Sequence, residues 1–460
     1  MWLTDAWRVL VITMLLSLKW AKAATVADNN RTMSPLSAIA AAELVASADH
    51  LTNKNKSAIR VDVCMLNACE AYVRMRDDLA NAVGPINKKL RDGEGMLGGD
   101  LSAVLEGRLQ RLDRRLRSVE QPVWTISSGH GRWRRCDQGP CKCRVETHSL
   151  SCWRKDFDEI PSNQNVPFDV NAIDLSTNRI ISLHKDTFKD LTNLTELDLT
   201  DNDIDYLPAT IFNTLEHLTK LRFHRNHLFE VPLLFQKNTE LQILDISMNN
   251  IKKLPEDLFQ SSKNLLLLHI YGNGIEVLPK SIFKGLNQLE DLDISANMLV
   301  ELSSDVFKGM VSLKKLKLQE NQLQQLPLGV FNDLECLEVL SLRNNHISFI
   351  RPGLFSNMRR LIHLDLTENW ISLLNGNEFT DLVSLNELHL GQNYLDFIPK
   401  KSFKNLASLE KLYLFSNNIQ SIDEESFYGL KNLSSLFLNN NMIKVLEDKL
   451  FAPLANLKKL

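Results

Sequence analysis

The sequence has little net charge of either sign. Its 53 lysines and arginines nearly balance 56 aspartates and glutamates, which leaves a formal charge of -3 at pH 7. A basic field of the kind that draws proteins onto nucleic acid is therefore lacking, as is the acidic excess of a solvated tail. We expect no nucleic acid among the partners. The composition, 44% hydrophobic and 24% charged, is typical of a globular protein.

Long hydrophobic runs are also lacking. The apolar stretch at residues 9–18 is about ten residues long, whereas a membrane-spanning helix needs roughly 20. It follows Arg8 and precedes Ala21-Lys22-Ala23, which offers small residues to a signal peptidase. We interpret residues 1–23 as a signal peptide, the alternative being an uncleaved anchor. No later stretch is long and apolar enough to span a bilayer, so any membrane association is expected through a segment not present in this chain.

Catalytic patterns are lacking as well. No Ser/His/Asp or Cys/His set can be assembled from the sequence. His217, His224 and His227 are close in sequence, but alternation along a strand directs only His224 squarely to the outward face. We expect no enzyme, no cofactor and no metal site.

What the sequence does have, from residue 169 to its end, is a repeat marked by one asparagine. Every interval between successive asparagines is 24 residues except one of 23. Around each asparagine the sequence reads L-x-x-L-x-L-x-x-N-x-L, with Ile, Val or Phe occasionally replacing Leu. A phenylalanine follows each asparagine by ten residues, or by nine at Phe235. Twelve units are complete and a thirteenth begins at Leu457. The asparagines are Asn178, Asn202, Asn226, Asn249, Asn273, Asn297, Asn321, Asn345, Asn369, Asn393, Asn417 and Asn441.

This pattern resembles the 24-residue extracellular leucine-rich repeat of Toll-like, Slit-like and small proteoglycan proteins, over about two-thirds of the chain. The resemblance implies an α/β repeat fold: a curved leucine-rich-repeat solenoid, or horseshoe, with parallel strands on its concave face. The physics agrees, because L-x-L alternation points leucines inward and the x residues outward. Stacked repeats then share one core, the asparagine amides bridge backbone groups of adjacent coils, and the phenylalanines form a spine opposite the strands.

Four cysteines precede the first repeat, in a segment that we place at residues 131–168. Cys136, Cys141, Cys143 and Cys152 form C-x4-C-x-C-x8-C, and spacing alone leaves three disulfide connectivities or a zinc site open. The pattern resembles the N-terminal cysteine cap of the same family, which implies pairing of the first with the third and of the second with the fourth. Of the other three cysteines, Cys64 and Cys69 are expected to pair with each other or with partner chains, and Cys336 to be a buried, inert thiol.

Residues 24–130 do not match the repeat, and we expect them to be helical or partly disordered. Residues 34–48 and 62–83 have helical composition. A leucine stripe of three- and four-residue spacing follows, which predicts one apolar helix face. That face either packs on its own neighbours or mediates self-association. The stripe consists of Leu97, Leu101, Leu105, Leu109, Leu112 and Leu116.

Four Asn-x-Ser/Thr sequons are candidate glycosylation sites. Asn30 and Asn55 are isolated, whereas Asn193 and Asn432 occupy the same register, just before the first strand leucine of their repeats. Glycans there would shield one edge of the solenoid and leave much of the concave face free.

Ligand-binding candidates are outward strand positions. Near the N-terminal end an acidic step, Glu196 and Asp198, lies beside a basic one, Lys220 and Arg222. The middle repeats present His269 and Tyr271. The last repeats present three aromatic side chains that have no core to fill, which favours a contact surface over solvated strand residues, unless a missing segment or a glycan covers them. These three are Tyr413, Phe415 and Phe437.

The resemblance implies an extracellular, protein-binding solenoid. We expect the ectodomain of a cell-surface receptor or adhesion protein that recognises a protein ligand, or alternatively a secreted extracellular-matrix component. A glycan ligand and a homodimer are further expected options. The sequence stops at Leu460 inside a strand and without a C-terminal cysteine cap, so we expect a fragment, unless a partner covers that end.

Overall fold

The computed structural model describes residues 98–460 except residue 448. Nearly all of them belong to one compact unit, Ser102–Leu460. The predictions made for earlier residues lie outside this range. They are the signal peptide, the helices at 34–48 and 62–83, Leu97 of the stripe, the cysteines Cys64 and Cys69, and the sequons Asn30 and Asn55.

Short strands are the main regular structure of the described chain. Two helices precede the repeats, α1 (Gly98–Glu120) and α2 (Arg132–Cys136). The strands of the cap region are β1 (Thr125–Ser127), β2 (Lys142–Arg144), β3 (Ser149–Ser151) and β4 (Asn165–Pro167). The strands of the repeats are β5 (Ala172–Asp174), β6 (Glu196–Asp198), β7 (Lys220–Arg222), β8 (Ile243–Asp245), β9 (Leu267–His269), β10 (Asp291–Asp293), β11 (Lys315–Lys317), β12 (Val339–Ser341), β13 (His363–Asp365), β14 (Glu387–His389), β15 (Phe397–Ile398), β16 (Lys411–Tyr413), β17 (Ser421–Ile422) and β18 (Ser435–Phe437).

The predicted parallel solenoid is confirmed. One 14-stranded sheet runs from β2 and β3 through β5 to β14 and then to β16 and β18. Every pair between successive repeats is parallel and in register, as Leu292 opposite Leu316 illustrates. The central residue of each repeat strand in this sheet, a leucine except for Ile173, is buried, while its two neighbours are mostly half-buried on the outward side. The rest of each repeat in the described chain consists of turns and loops rather than helices, with the separate strand pair β15 and β17 in two of the last repeats.

The repeat asparagine joins adjacent coils, as predicted. The Asn321 amide nitrogen donates to the carbonyl of Ile294 in the preceding repeat at 3.2 Å and to that of Leu318 in its own repeat at 3.0 Å. Its amide oxygen accepts the Leu299 backbone N–H at 3.1 Å. The same pattern recurs in the neighbouring repeats, for example at Asn345. Buried backbone groups that the short strands leave unpaired are thereby satisfied.

The phenylalanine spine is confirmed too, with one interruption. From Phe235 to Phe451 successive rings stack with centroids 6.1 to 6.5 Å apart. Strands repeat at only about 4.8 Å, so the stack is wider on the phenylalanine side and curves with the strands inside. In the 23-residue repeat the pattern changes: Phe212 stacks on Phe223, 5.9 Å away, a residue that replaces a strand leucine.

The cysteine cap has the connectivity that the family resemblance implied. Cys136 is bonded to Cys143 and Cys141 to Cys152, which excludes a zinc site formed by these thiols. The packed cap starts before residue 131, because β1 pairs in parallel with β4. Trp124, just before β1, is buried with its ring 5.9 Å from that of Phe188. An indole therefore covers the first ring of the spine.

The described end of α1 packs on the first repeats. The Ser118 hydroxyl donates to the Leu183 carbonyl at 2.7 Å, and Arg117 pairs with Asp205 at 2.9 Å. The Arg114 guanidinium lies 4.9 Å from the centre of the Phe229 ring. In this part of the stripe, where Leu112 and Leu116 are half-buried, the helix folds onto its own neighbours.

Neither helix of the described chain combines the length and the apolar character needed to cross a bilayer.

Candidate ligand-binding face

The outward side of the 14-stranded sheet, which we call the concave face, carries the candidate ligand-binding residues. Each strand presents its first and third residues on this face. The residue two positions after the third lies on the same face. Because the strands are in register, equivalent positions in neighbouring repeats form rows in which side chains lie about 4.8 Å apart. Flat side chains in one row are therefore close enough to stack.

Tyr413, Phe415 and Phe437, which we call the aromatic cluster, lie together on the last strands. Tyr413 of β16 and Phe437 of β18 are register partners, and their rings are parallel with centroids 4.6 Å apart. Phe415 meets Tyr413 edge to face at 6.5 Å. Such geometries are favourable for aromatic pairs and hold the rings in fixed positions.

The aromatic cluster is less exposed than outward alternation alone predicts. All three rings are half-buried, because they cover one another and because neighbours cover them from both sides. The His389 ring stacks on Tyr413 at 4.1 Å, and the Lys459 ammonium lies 4.9 Å from the centre of the Phe437 ring. The cluster is thus part of a preorganised column of flat side chains.

The ring of Phe415 packs directly against Gly391. A Cβ placed on Gly391 would lie 2.6 Å from the Phe415 ring, closer than carbon atoms approach. The lack of a side chain at Gly391, two residues after β14, therefore leaves room for this ring. An alanine at this position would force the ring outward.

The sequence did not predict a histidine–glutamate group that lies next to the aromatic cluster. His363 begins β13, directly opposite Glu387, which begins β14, and His389 ends β14. A hydrogen bond from Lys411 lowers the pKa of the Glu387 carboxyl, and burial lowers the pKa of the His389 imidazole. The signal lay in H-L-D followed one repeat later by E-L-H, which only an alignment of outward positions between repeats reveals.

The charged step near the N-terminal end forms as predicted, but its charges are paired. The ammonium of Lys220 lies 3.0 Å from the Glu196 carboxylate, and the guanidinium of Arg222 lies 3.6 Å from Asp198. These contacts join β6 to β7 across the register. A ligand that used either cation would have to displace an acidic partner.

His269 and Tyr271 lie side by side in the middle of the face, with ring centroids 6.1 Å apart. The Tyr271 hydroxyl lies 3.4 Å from Nδ1 of His224, which in turn lies 2.8 Å from the Ser247 hydroxyl. Six strand spacings separate β9 from β16. The structure therefore does not bring His269 and Tyr271 to the aromatic cluster, which lies roughly 30 Å away.

The three histidines close together in sequence do not converge. His217 contacts Glu240 at 3.2 Å and His227 contacts Asp203 at 3.4 Å, whereas His224 faces Ser247.

Two predicted modification sites are exposed, and one thiol is more accessible than predicted. The side chains of Asn193 and Asn432 are both exposed, as a glycan acceptor requires, and their glycosylation remains a prediction. Cys336 is half-buried rather than buried, with its sulfur 3.5 Å from the guanidinium of Arg360. The reason is its position before the first strand leucine, where the side chain points to the edge of the sheet.

The chain belongs to the leucine-rich-repeat family. The family description "Leucine rich repeat" matches residues 169–228, 239–299, 291–347, 336–395, 371–419, 383–443 and 407–460, which together make up more than half of the chain. No curated protein sequence matches the chain at a significant level.

Solved structures show the same fold at low identity. A chain of the Drosophila Toll–Spatzle complex is similar with a TM-score of 0.57 and 19% identity, over 72% of this chain and 52% of that one. The leucine-rich-repeat domain of APL1B is similar with a TM-score of 0.52 and 21% identity, over 61% of this chain and 78% of that one. A chain of the TLR13–ssRNA13 complex has a lower TM-score of 0.36 at 19% identity, over 69% of this chain and 70% of that one. The present chain spans about half the length of the matched Toll-complex chain.

Proposed function

We propose that this chain is an extracellular binding protein, the ectodomain of a receptor or adhesion protein, which captures a protein ligand with the aromatic cluster on its concave face. The proposal rests on the stacked pair of Tyr413 and Phe437, 4.6 Å apart on a face with no core to fill. Aromatic side chains in fixed positions dominate many protein interfaces, since they bury large areas at little cost in side-chain entropy.

Two further observations support an extracellular binding role. The cap is closed by the disulfides Cys136–Cys143 and Cys141–Cys152, and such bonds persist in oxidising compartments. The Toll–Spatzle structure pairs a similar solenoid with another protein. We propose binding without catalytic turnover, and a protein rather than a nucleic acid as the ligand.

The proposal is tested by binding of the full chain, fused to an antibody Fc, to an array of secreted and cell-surface proteins. We expect hits whose affinity falls at least tenfold in the double variant Tyr413→Ser, Phe437→Ser, because a hot-spot aromatic contributes on the order of 2 kcal/mol. Tyr394→Ser and Tyr428→Ser are matched controls, since both tyrosines are exposed elsewhere on the solenoid.

Other outcomes separate the alternatives. Loss of binding in Lys220→Glu, Arg222→Glu but not in the aromatic variant would move the ligand to the charged step. Hits confined to fibrillar matrix proteins would favour the matrix component over the receptor. Binding to single-stranded RNA, applied as a separate probe, would contradict the exclusion of nucleic acid.

A further inference from the structure

Two imidazoles and a carboxylate converge on the concave face beside the aromatic cluster. They belong to His363, Glu387 and His389, and their ligand-forming atoms all lie within 4.8 Å of one another. In-register pairing of β13 with β14 produces this convergence, since His363 is opposite Glu387 and His389 is two residues further along the same face. Among the side chains that the structure describes, no other group of three or more His, Cys, Asp or Glu residues meets this distance.

The two carboxylate oxygens of Glu387 have different partners. Oε1 accepts a hydrogen bond from the Lys411 ammonium at 2.5 Å. Oε2 lies 3.4 Å from Nε2 of His389 and 3.5 Å from Nδ1 of His363. One oxygen therefore anchors the carboxylate, while the other faces both imidazoles.

We propose that His363, Glu387 and His389 form a binding site for a divalent transition metal, with zinc as the ion that the donor set favours. Two imidazole nitrogens and one carboxylate oxygen are a common zinc ligand set. Donors bonded to zinc at about 2.0–2.1 Å in a tetrahedral shell lie roughly 3.3 Å apart. The separations of 3.4 and 3.5 Å at Oε2 are already near that value.

The charges around the site are compatible with a cation. Lys411 is positive, but Asp365, the register partner of His389, adds a second carboxylate to that of Glu387. A hydrogen bond to the non-coordinating oxygen of a ligand carboxylate is also the outer contact that orients such ligands in metal sites. Lys411 therefore fits the role of an anchor for Glu387 as well as that of its ion-pair partner.

Three protein ligands leave at least one coordination position of a tetrahedral ion unfilled. The three side chains are half-buried on an open face, so that position is directed to solvent. Zinc binding itself requires no ligand at the aromatic cluster, and this proposal therefore stands or falls separately from the proposed function.

The test is calorimetric titration of the full chain, stripped with EDTA and dialysed, with zinc chloride. We expect one high-affinity equivalent of zinc in the wild type that is absent, or weakened at least tenfold, in His363→Gln and in His389→Gln. His217→Gln is the matched control, because it removes an exposed histidine that also pairs with a glutamate, Glu240, but lies about six repeats before His363. Substitution with cobalt(II) gives a second readout, a visible absorption band that the same two variants lose.

A folding defect is distinguishable from loss of the site. Glu387→Gln keeps the shape of the side chain and removes the ligand charge, and thermal unfolding without zinc reports whether each variant is folded. Wild-type stoichiometry and affinity retained in both histidine variants, or no zinc binding by the wild type, would overturn the proposal.

Discussion

The imidazole of His269 lies between two carboxylates on the neighbouring strands. Nδ1 is 3.9 Å from Asp245 and Nε2 is 3.8 Å from Asp291, which are ion-pair distances rather than those of hydrogen bonds. Burial lowers the pKa of His269, but the attraction of the two carboxylates outweighs it and raises the pKa to about 9. His269 is therefore protonated at neutral pH, and its single positive charge lies between two acidic side chains, Asp245 on β8 and Asp291 on β10.

A pH dependence of stability follows. The pKa of His269 is higher in the folded chain than the 6.5 of a free histidine. Its stabilising effect is therefore complete below about pH 6.5 and is lost as the pH rises through about 9. We expect the free energy of unfolding to fall by on the order of 2 kcal/mol across this range, and His269→Gln to lose most of that dependence. Urea unfolding at pH 6 and pH 9.5 measures it.

The control for this experiment is His217→Gln, which replaces an exposed histidine that contacts Glu240. It should keep the wild-type pH dependence. An equal dependence in His269→Gln and in the wild type would show that the charge of His269 does not stabilise the folded chain.

The outward residues show which properties of a single side chain the sequence predicts: the face on which it lies, but not its contacts. Strand alternation correctly placed Tyr413 and Phe437 on the concave face, because the side-chain period of a strand is fixed. Their stacking on His389 depends on register between repeats and on side-chain rotamers, which no single repeat encodes. For the same reason the convergence of His363 with Glu387 could not be predicted from the sequence.

At the scale of the element, the repeat asparagine secures each coil to the one before it. Removal of the Asn321 side chain leaves the buried Leu299 N–H without its partner. It also removes one of the two amide hydrogen bonds that the Ile294 carbonyl accepts, the other of which comes from Asn297. We expect Asn321→Ala to lower the free energy of unfolding by about 3 kcal/mol, the cost of one unsatisfied buried N–H together with the lost amide hydrogen bonds. Chemical denaturation of the full chain measures this loss.

Gln322→Ala provides a comparison one residue away, at an exposed position. It should stay within about 0.5 kcal/mol of the wild type. Similar losses in both variants would mean that the loop backbone, rather than the amide bridge, determines the stability of the turn.

Elements outside the repeat were harder to predict than those within it. The solenoid follows from a pattern recurring at 24 residues, and the disulfide pairing from a family resemblance. The contact of Ser118 with Leu183 and the cover that Trp124 gives to Phe188 join segments far apart in sequence. Neither contact is marked by a periodic pattern in the sequence. For this reason the sequence did not predict that the packed cap includes Trp124 and β1, which precede residue 131.

At the scale of the whole solenoid, the 23-residue repeat divides the spine. Rings stack without a break from Phe235 to Phe451, whereas Phe212 stacks on Phe223 instead of continuing the row. Because repeat proteins are stabilised mainly by contacts between neighbours, a weaker junction should limit cooperativity. The sheet itself stays paired across the junction, through β7 and β8.

We therefore expect amide hydrogen exchange in mild denaturant to define two groups of opening free energy. Their boundary should lie between Phe212 and Phe235, and the strand amides from β9 to β16 should open as one unit. Mass spectrometry of peptides along the chain resolves this. One common opening free energy on both sides of the short repeat would contradict it.

The phenylalanine spine also has a consequence for selectivity. Its rings are 6.1 to 6.5 Å apart from Phe235 onward, wider than the strand spacing. The radius of the arc is therefore set by buried side chains on the side opposite the concave face. Smaller residues in that row would flatten the arc and spread the outward side chains without replacing any of them. Selection for ligands of another size could thus act on the buried spine, while the binding residues stay the same.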